Sequence, residues 1–158
     1  MQKLLIVWTC YLLVISLYTT PNHCVKQFYN TSGNHSQFIV LNHFIIPLCK
    51  QFTSNFLNER YNLKEGKILF KPTKASEEQF RPNLDMALSY FIGGEDSFCK
   101  EDQGFAMKPW IKVSFENSGF IFEKNRAIAM GNYFFTDLNE KTIKVEYSFG
   151  YKLIEKTL

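Results

Sequence analysis

The sequence predicts a single α+β domain behind an apolar leader, on three observations. Apolar residues recur at helical spacing in two stretches before residue 95. After residue 109 the period changes to two, in successive runs separated by turn residues. Helices first and antiparallel strands after is the order of an α+β domain. The length, 158 residues, fits one domain. Without the leader about 135–140 residues remain, enough for one core.

The leader comes first. Lys3 supplies a positive charge, and Leu4 to Leu17 is almost wholly apolar. That is the length of a signal-peptide core and short for a membrane span. Residues 1–20 are therefore read as a signal peptide, with a retained anchor as the alternative. Tyr18-Thr19-Thr20 ahead of Pro21 makes a poor cleavage site, because small residues are preferred there. The expected route is secretory, to a secreted or periplasmic protein, or to a plastid if the host is an alga.

Residues 21–47 form a separate segment. Its polar part, 22–36, reads as a loop, and Asn30-Thr31-Ser32 and Asn34-His35-Ser36 fit the glycosylation acceptor pattern. Phe38 to Ile46 is apolar and β-like, and Pro47 is expected to interrupt it. From Leu48 to Leu63 a helix is predicted, with Leu48, Phe52, Phe56 and Leu57 facing inward and Gly66 as its left-handed stop.

Lys67 to Lys71 reads as a short strand ended by Pro72. Ser76-Glu77-Glu78-Gln79 is a capping-box pattern, so a helical turn is expected there. Asn83 caps the next helix, in which Leu84, Ala87, Leu88 and Phe91 form one stripe. Tyr90 lies off that stripe, free to face a cavity, and Gly93-Gly94 ends the helix. Residues 95–109 are a loop. Ile111, Val113 and Phe115 then alternate with polar residues, Asn117-Ser118-Gly119 reads as a turn, and Phe120 to Lys124 as a strand. Ala127 to Phe135 is a longer strand and Asp137 to Lys141 a turn. Ile143, Val145, Tyr147, Phe149 and Tyr151 share one face of the last strand.

Several function classes lack support. A net charge of +3 with only three arginines (Arg60, Arg81 and Arg126) argues against a nucleic-acid partner. The sequence has no phosphate-binding glycine loop, no Gly-x-Ser-x-Gly elbow and no Cys-x-x-Cys. His23, His35 and His43 are spaced unlike metal ligands, so the sequence requires no cofactor and leaves metal dependence open. Glu77 and Glu78 read as first-turn carboxylates rather than a catalytic acid pair. Cys24, Cys49 and Cys99 remain once Cys10 leaves with the leader; Cys24–Cys49 is one possible pairing, and an odd count implies a free or intermolecular thiol.

Ordered blocks carry a resemblance. They are Phe70-Lys71-Pro72-Thr73-Lys74-Ala75, Gln79-Phe80-Arg81-Pro82, and Ala87-Leu88-Ser89-Tyr90-Phe91-Ile92-Gly93-Gly94. Gly104-Phe105-Ala106, Ala129-Met130-Gly131-Asn132-Tyr133-Phe134-Phe135-Thr136 and Lys144-Val145-Glu146-Tyr147-Ser148-Phe149-Gly150-Tyr151 follow in the same order. Over residues 56–152 the chain resembles the iota-class carbonic anhydrases. These belong to the SnoaL-like, nuclear transport factor 2-like superfamily, related to the calcium/calmodulin-dependent kinase II association domain. The resemblance implies a cone, in which a curved antiparallel sheet is wrapped by the N-terminal helices around a pocket, with residues 48–158 as the domain.

It also implies reversible hydration of CO2 to bicarbonate. Thr73 and Tyr90 match the family's pocket hydroxyls, which would orient bicarbonate or the attacking water. Assembly as a homodimer or higher homo-oligomer is expected. Family members continue into a last strand bearing His-His-Ser-Ser. This chain is expected to be a fragment lacking that strand, and so an incomplete or inactive relative. The alternative functions are a non-catalytic small-molecule pocket and an oligomerisation module on the same fold.

Overall fold

A computed structural model describes residues 46–61, 63, 66, 68–108 and 110–153. The leader, almost all of the segment 21–47, the three histidines, Cys10 and Cys24 lie outside the described residues. So do Lys67 and residues 154–158. The described chain falls into two compact units, one within 46–108 and one within 110–153. The first is helical and the second is a three-stranded antiparallel sheet, so the α+β class read from the sequence is the class observed.

Helix α1 spans Ile46–Arg60. Pro47 lies in its first turn, and the β-like run expected ahead of it, 38–45, lies outside the described residues. A first-turn N–H has no intrahelical partner, so proline costs nothing there. The inward face is Cys49, Thr53, Phe56 and Leu57, whereas Leu48 is 57% exposed. The expected stripe had two of its members, Leu48 and Phe52, one position too early. Hydropathy favoured them, but the packed face takes Cys49 and Thr53, in register with Phe56 and Leu57 at i, i+4, i+7 and i+8. The helix stops at Arg60, with the Tyr61 amide still bonded to the Leu57 carbonyl (2.9 Å), well before Gly66.

Helix α2 spans Leu84–Ile92 and packs on α1. Its ends follow the sequence signals. The Asn83 side chain accepts from the Met86 amide (3.0 Å), and Gly93, at φ 62°, donates to the Ser89 carbonyl (2.7 Å). Its buried face is wider than the expected stripe. Ala87, Ser89, Tyr90, Phe91 and Ile92 are buried, while Leu84 and Leu88 are only half-buried.

Two expected elements between the helices do not form. Residues 68–70 run beside 81–82 through two bonds, Ile68 N–H to the Pro82 carbonyl (3.3 Å) and Arg81 N–H to the Phe70 carbonyl (2.8 Å). Pro72 and Pro82 lack N–H groups, so the ladder cannot lengthen into the strand expected at 67–71. The helical turn expected at Ser76–Gln79 is also absent. The N–H groups that a helix start would leave open are taken by a distant carboxylate, described below.

In the second unit, strand β1 is Lys112–Phe122, β2 is Arg126–Thr136 and β3 is Thr142–Lys152, in the order β1-β2-β3. The Asn117-Ser118-Gly119 turn expected from sequence is a β-bulge within one strand. Asn117 pairs with Gly131 and Gly119 with Met130, leaving Ser118 as the extra residue. The bulge reverses the side-chain parity. Val113 and Phe115 before it, and Phe120 and Phe122 after it, therefore all share the β2 face that carries Tyr133, Ala129 and Ala127. A parity break in a sequence looks like a chain reversal, but the eleven residues of β2 pair along both halves. The real reversal is at 123–126, where Glu123 N–H meets the Arg126 carbonyl (2.9 Å).

The turn at Asp137–Lys141 forms as expected, with the Asp137 carboxylate accepting from the Asn139 (2.9 Å) and Lys141 (3.0 Å) amides. One sheet face is aromatic. Tyr133 stacks on Tyr147 (centroids 4.5 Å), meets Phe115 edge-on (4.8 Å), and Tyr147 stacks on Phe149 (4.9 Å).

Candidate active site

Tyr90 is 8% exposed. Its ring stacks on Phe105 (centroids 5.6 Å) and meets Phe70 (5.8 Å) and Phe91 (5.4 Å) edge-on. Burial drives its phenol well above the ordinary range, and a backbone hydrogen bond from Lys74 opposes this only in part. At neutral pH the hydroxyl is therefore intact and can donate and accept at once. Thr73 sits in the exposed turn closed by the Ala75 amide and the Pro72 carbonyl (3.2 Å). Burial also pushes the neighbouring Tyr61 phenol up to about 12. The Tyr61 ring packs edge-on against Phe70 (5.6 Å).

A buried ionic group adjoins these residues. Arg81 is fully buried and binds Glu101 (3.1 Å) and Asp102 (3.0 Å) through the same Nη2, while its Nη1 donates to the Glu78 carbonyl. The Glu101 carboxylate accepts from the amides of Ser76 (2.8 Å), Glu77 (3.0 Å) and Glu78 (2.9 Å) and from the Ser76 hydroxyl (2.9 Å). Asp102 accepts from the Ser89 hydroxyl (2.6 Å), and Ser89 in turn accepts from the Cys99 amide (3.0 Å). Burial works against the charge on Arg81, but Glu101 and Asp102 outweigh it and hold the guanidinium more firmly protonated.

The amides of Glu77 and Ser76 pull the Glu101 carboxyl down from 4.5 to about 2. A carboxyl depressed on folding stabilises the protein above its unfolded pKa and ceases to do so as pH falls through its folded pKa. Melting temperature is therefore expected to fall as pH drops from 4.5 toward 2, and Glu101→Gln is expected to flatten that part of the profile. Thermal melts across this range check both.

Sequence reasoning singled out Thr73 and Tyr90 and overlooked this group. Arg81 and Ser89 stood inside quoted blocks without a role, and Glu101 and Asp102 lay in the segment 95–109 read only as loop. The available signal was an arginine between Phe80 and Pro82 in a chain with only two others. Glu77 and Glu78 are used through their backbone amides, and their side chains are exposed. Cys99 is a buried free thiol whose pKa is raised by burial. The Cys24–Cys49 pairing lies outside the described residues. Among the described residues no three of His, Cys, Asp and Glu group to hold a metal ion. A groove of about 390 Å³ on the sheet is lined by Ile121, Ile128 and Tyr151 among others, and includes neither Thr73 nor Tyr90.

The model of the metal-independent carbonic anhydrase family matches residues 47–157. That match takes in both helices, the ionic group and all three strands. The chain belongs to the metal-independent carbonic anhydrase family. A curated metal-independent carbonic anhydrase from Nostoc sp. strain PCC 7120 is 35% identical over 103 residues, covering 65% of this chain and 50% of that protein. The chain thus spans about half the length of the curated relative it matches. A crystal structure of a cyanobacterial iota-carbonic anhydrase complexed with bicarbonate superposes with a TM-score of 0.62 at 26% identity, covering 88% of this chain and 79% of that one. The iota class read from the ordered blocks is therefore the class to which this member belongs.

Proposed function

We propose that this member of the family takes part in the reversible hydration of CO2, CO2 + H2O ⇌ HCO3⁻ + H⁺, with Thr73 and Tyr90 as the hydroxyls that orient bicarbonate or the attacking water. The observation that carries the reading is the family match over residues 47–157, which contains both. The solved relative complexed with bicarbonate supports the same substrate pair. Orientation is a role suited to hydroxyls, since holding water and CO2 in attack geometry removes much of the entropic barrier. Tyr90 keeps its proton at neutral pH, so it directs hydrogen bonds rather than storing the released proton. Phe70, Phe91 and Phe105 give its ring an apolar surround compatible with CO2.

Stopped-flow CO2 hydration tests the reading. Thr73→Val and Tyr90→Phe are each expected to lower kcat/KM by about 10–100-fold, the size of a lost orienting contact. Full rate in both variants, with folds intact by circular dichroism, would remove the assigned roles. Self-association belongs to the same proposal. Ile121, Ile128 and Met130, exposed by 64%, 49% and 55%, support it as apolar surface that a second copy would cover. Light scattering is expected to give at least a dimer mass, and a monomer would end that part of the proposal. Export is proposed from Lys3 and the apolar run Leu4 to Leu17.

A further inference from the structure

Glu101 and Asp102 are consecutive, and each holds a different element of the candidate site. Glu101 holds the backbone just after Thr73. The amides of Ser76, Glu77 and Glu78 all go to its carboxylate, across 23 to 25 residues of chain. Asp102 holds α2 through the hydroxyl of Ser89, the residue before Tyr90. Arg81 lies between the two carboxylates and binds both. Its own amide fixes Phe70, whose ring packs on Tyr90 and Phe91.

Segment 73–78 has no helix or strand of its own to place it. Its position is set by the carboxylate that its amides surround. Burying the charges of Arg81 and Asp102 is also a costly way to gain stability, because apolar residues of similar volume usually serve as well. What such a group gives that an apolar cluster does not is direction, since each hydrogen bond fixes a distance and an angle.

We propose that Glu101, Arg81, Asp102 and Ser89 are positioning residues that set the Thr73 turn against the Tyr90 helix. This rests on the enzymatic reading of those two hydroxyls. Glu101→Gln keeps the size of the side chain but loses one acceptor oxygen and the charge that the amides and Arg81 face. It is expected to lower kcat about 10–100-fold with KM changed less than about 3-fold, since misplacement acts on attack geometry. In a Thr73→Val background the same change is expected to cost less than about 3-fold more, because the group that Glu101 positions is already gone.

A role confined to stability would lower activity by the same factor in both backgrounds, and that result overturns the inference. Should Glu101→Gln not fold, Ser76→Ala removes one exposed donor from the same carboxylate. It is expected to give a roughly 3–10-fold loss with the same dependence on background. Hydrogen exchange supplies a readout free of activity. The Lys74 amide is expected to exchange faster in either variant relative to the Tyr61 amide at the end of α1. Faster Lys74 exchange in a chain that does not hydrate CO2 would sustain the positioning circuit and end the enzymatic reading. Unchanged Lys74 exchange overturns the circuit whatever the activity.

Discussion

Replacing Arg81 by leucine is expected to destabilise the protein by about 3–5 kcal/mol, the usual cost of removing one partner from a buried ion pair. The reason lies in what is left behind. Asp102, with a side chain only 2% exposed, would keep the Ser89 hydroxyl and lose its counter-charge. Glu101 would lose one of its donors as well, and the Glu78 carbonyl would lose the Arg81 Nη1. For a domain of this size each kcal/mol lowers Tm by about 4–8 °C, so a fall on the order of 20 °C is expected. Scanning calorimetry of the two proteins measures it. A second variant separates charge from packing. Arg81→Leu combined with Asp102→Leu is expected to be less destabilised than the sum of the single changes, because the unpaired carboxylate is removed along with its partner. A loss below about 1 kcal/mol for Arg81→Leu alone would mean that water reaches Asp102, contrary to its burial.

Gly131→Ala is expected to cost about 3 kcal/mol, near the upper end for forcing one methyl group into a filled space. Gly131 lies on the central strand opposite Asn117, where β1 begins its bulge. A Cβ there would stand 2.7 Å from the Tyr147 hydroxyl and 2.9 Å from the Asn117 Cα, and closer still to the Glu116 carbonyl oxygen. Two of these are backbone atoms within the ladder and cannot rotate away. The third is the hydroxyl that donates to the Asn117 side chain, a bond reaching from β3 to β1 over the glycine. The methyl group would therefore part β1 from β2 and break that bond together. A Tm drop on the order of 15 °C is expected, read by circular dichroism. If Gly131→Ala melts like the parent chain, the close approach of the three strands at the bulge is wrong. Gly150 offers the contrast. It is also a strand glycine of this sheet, but nothing lies within 4 Å of a Cβ placed on it.

These variants differ in how visible their sites were beforehand. Gly131 stood inside a quoted block, but nothing in the sequence shows that a tyrosine sixteen positions later would lie over it. Arg81 was conspicuous as a rare arginine, yet its partners twenty and twenty-one residues away carried no pattern. Asn83 and Gly93 were readable as helix ends because a cap is satisfied by atoms within four residues of it.

The same distinction runs through the whole chain. The sequence alone determined the order of helices before strands, both ends of α2, the Asp137 turn and the alternating faces of β3. Each depends on neighbours a few residues apart, whose spacing is written directly in the chain. Ordered blocks also carried the family. Only the tertiary structure decided that residues 117–119 are a bulge, that 76–79 is not a helix, and that the α1 face runs through Cys49 and Thr53. It also revealed the ionic group that joins the Thr73 turn to the Tyr90 helix. In each of these cases the deciding partner is distant in sequence: the full length of β2, the Glu101 carboxylate, or the packed surface beneath α1. A buried amide or charge takes the partner that folding brings within hydrogen-bond distance, and local spacing holds no record of that choice.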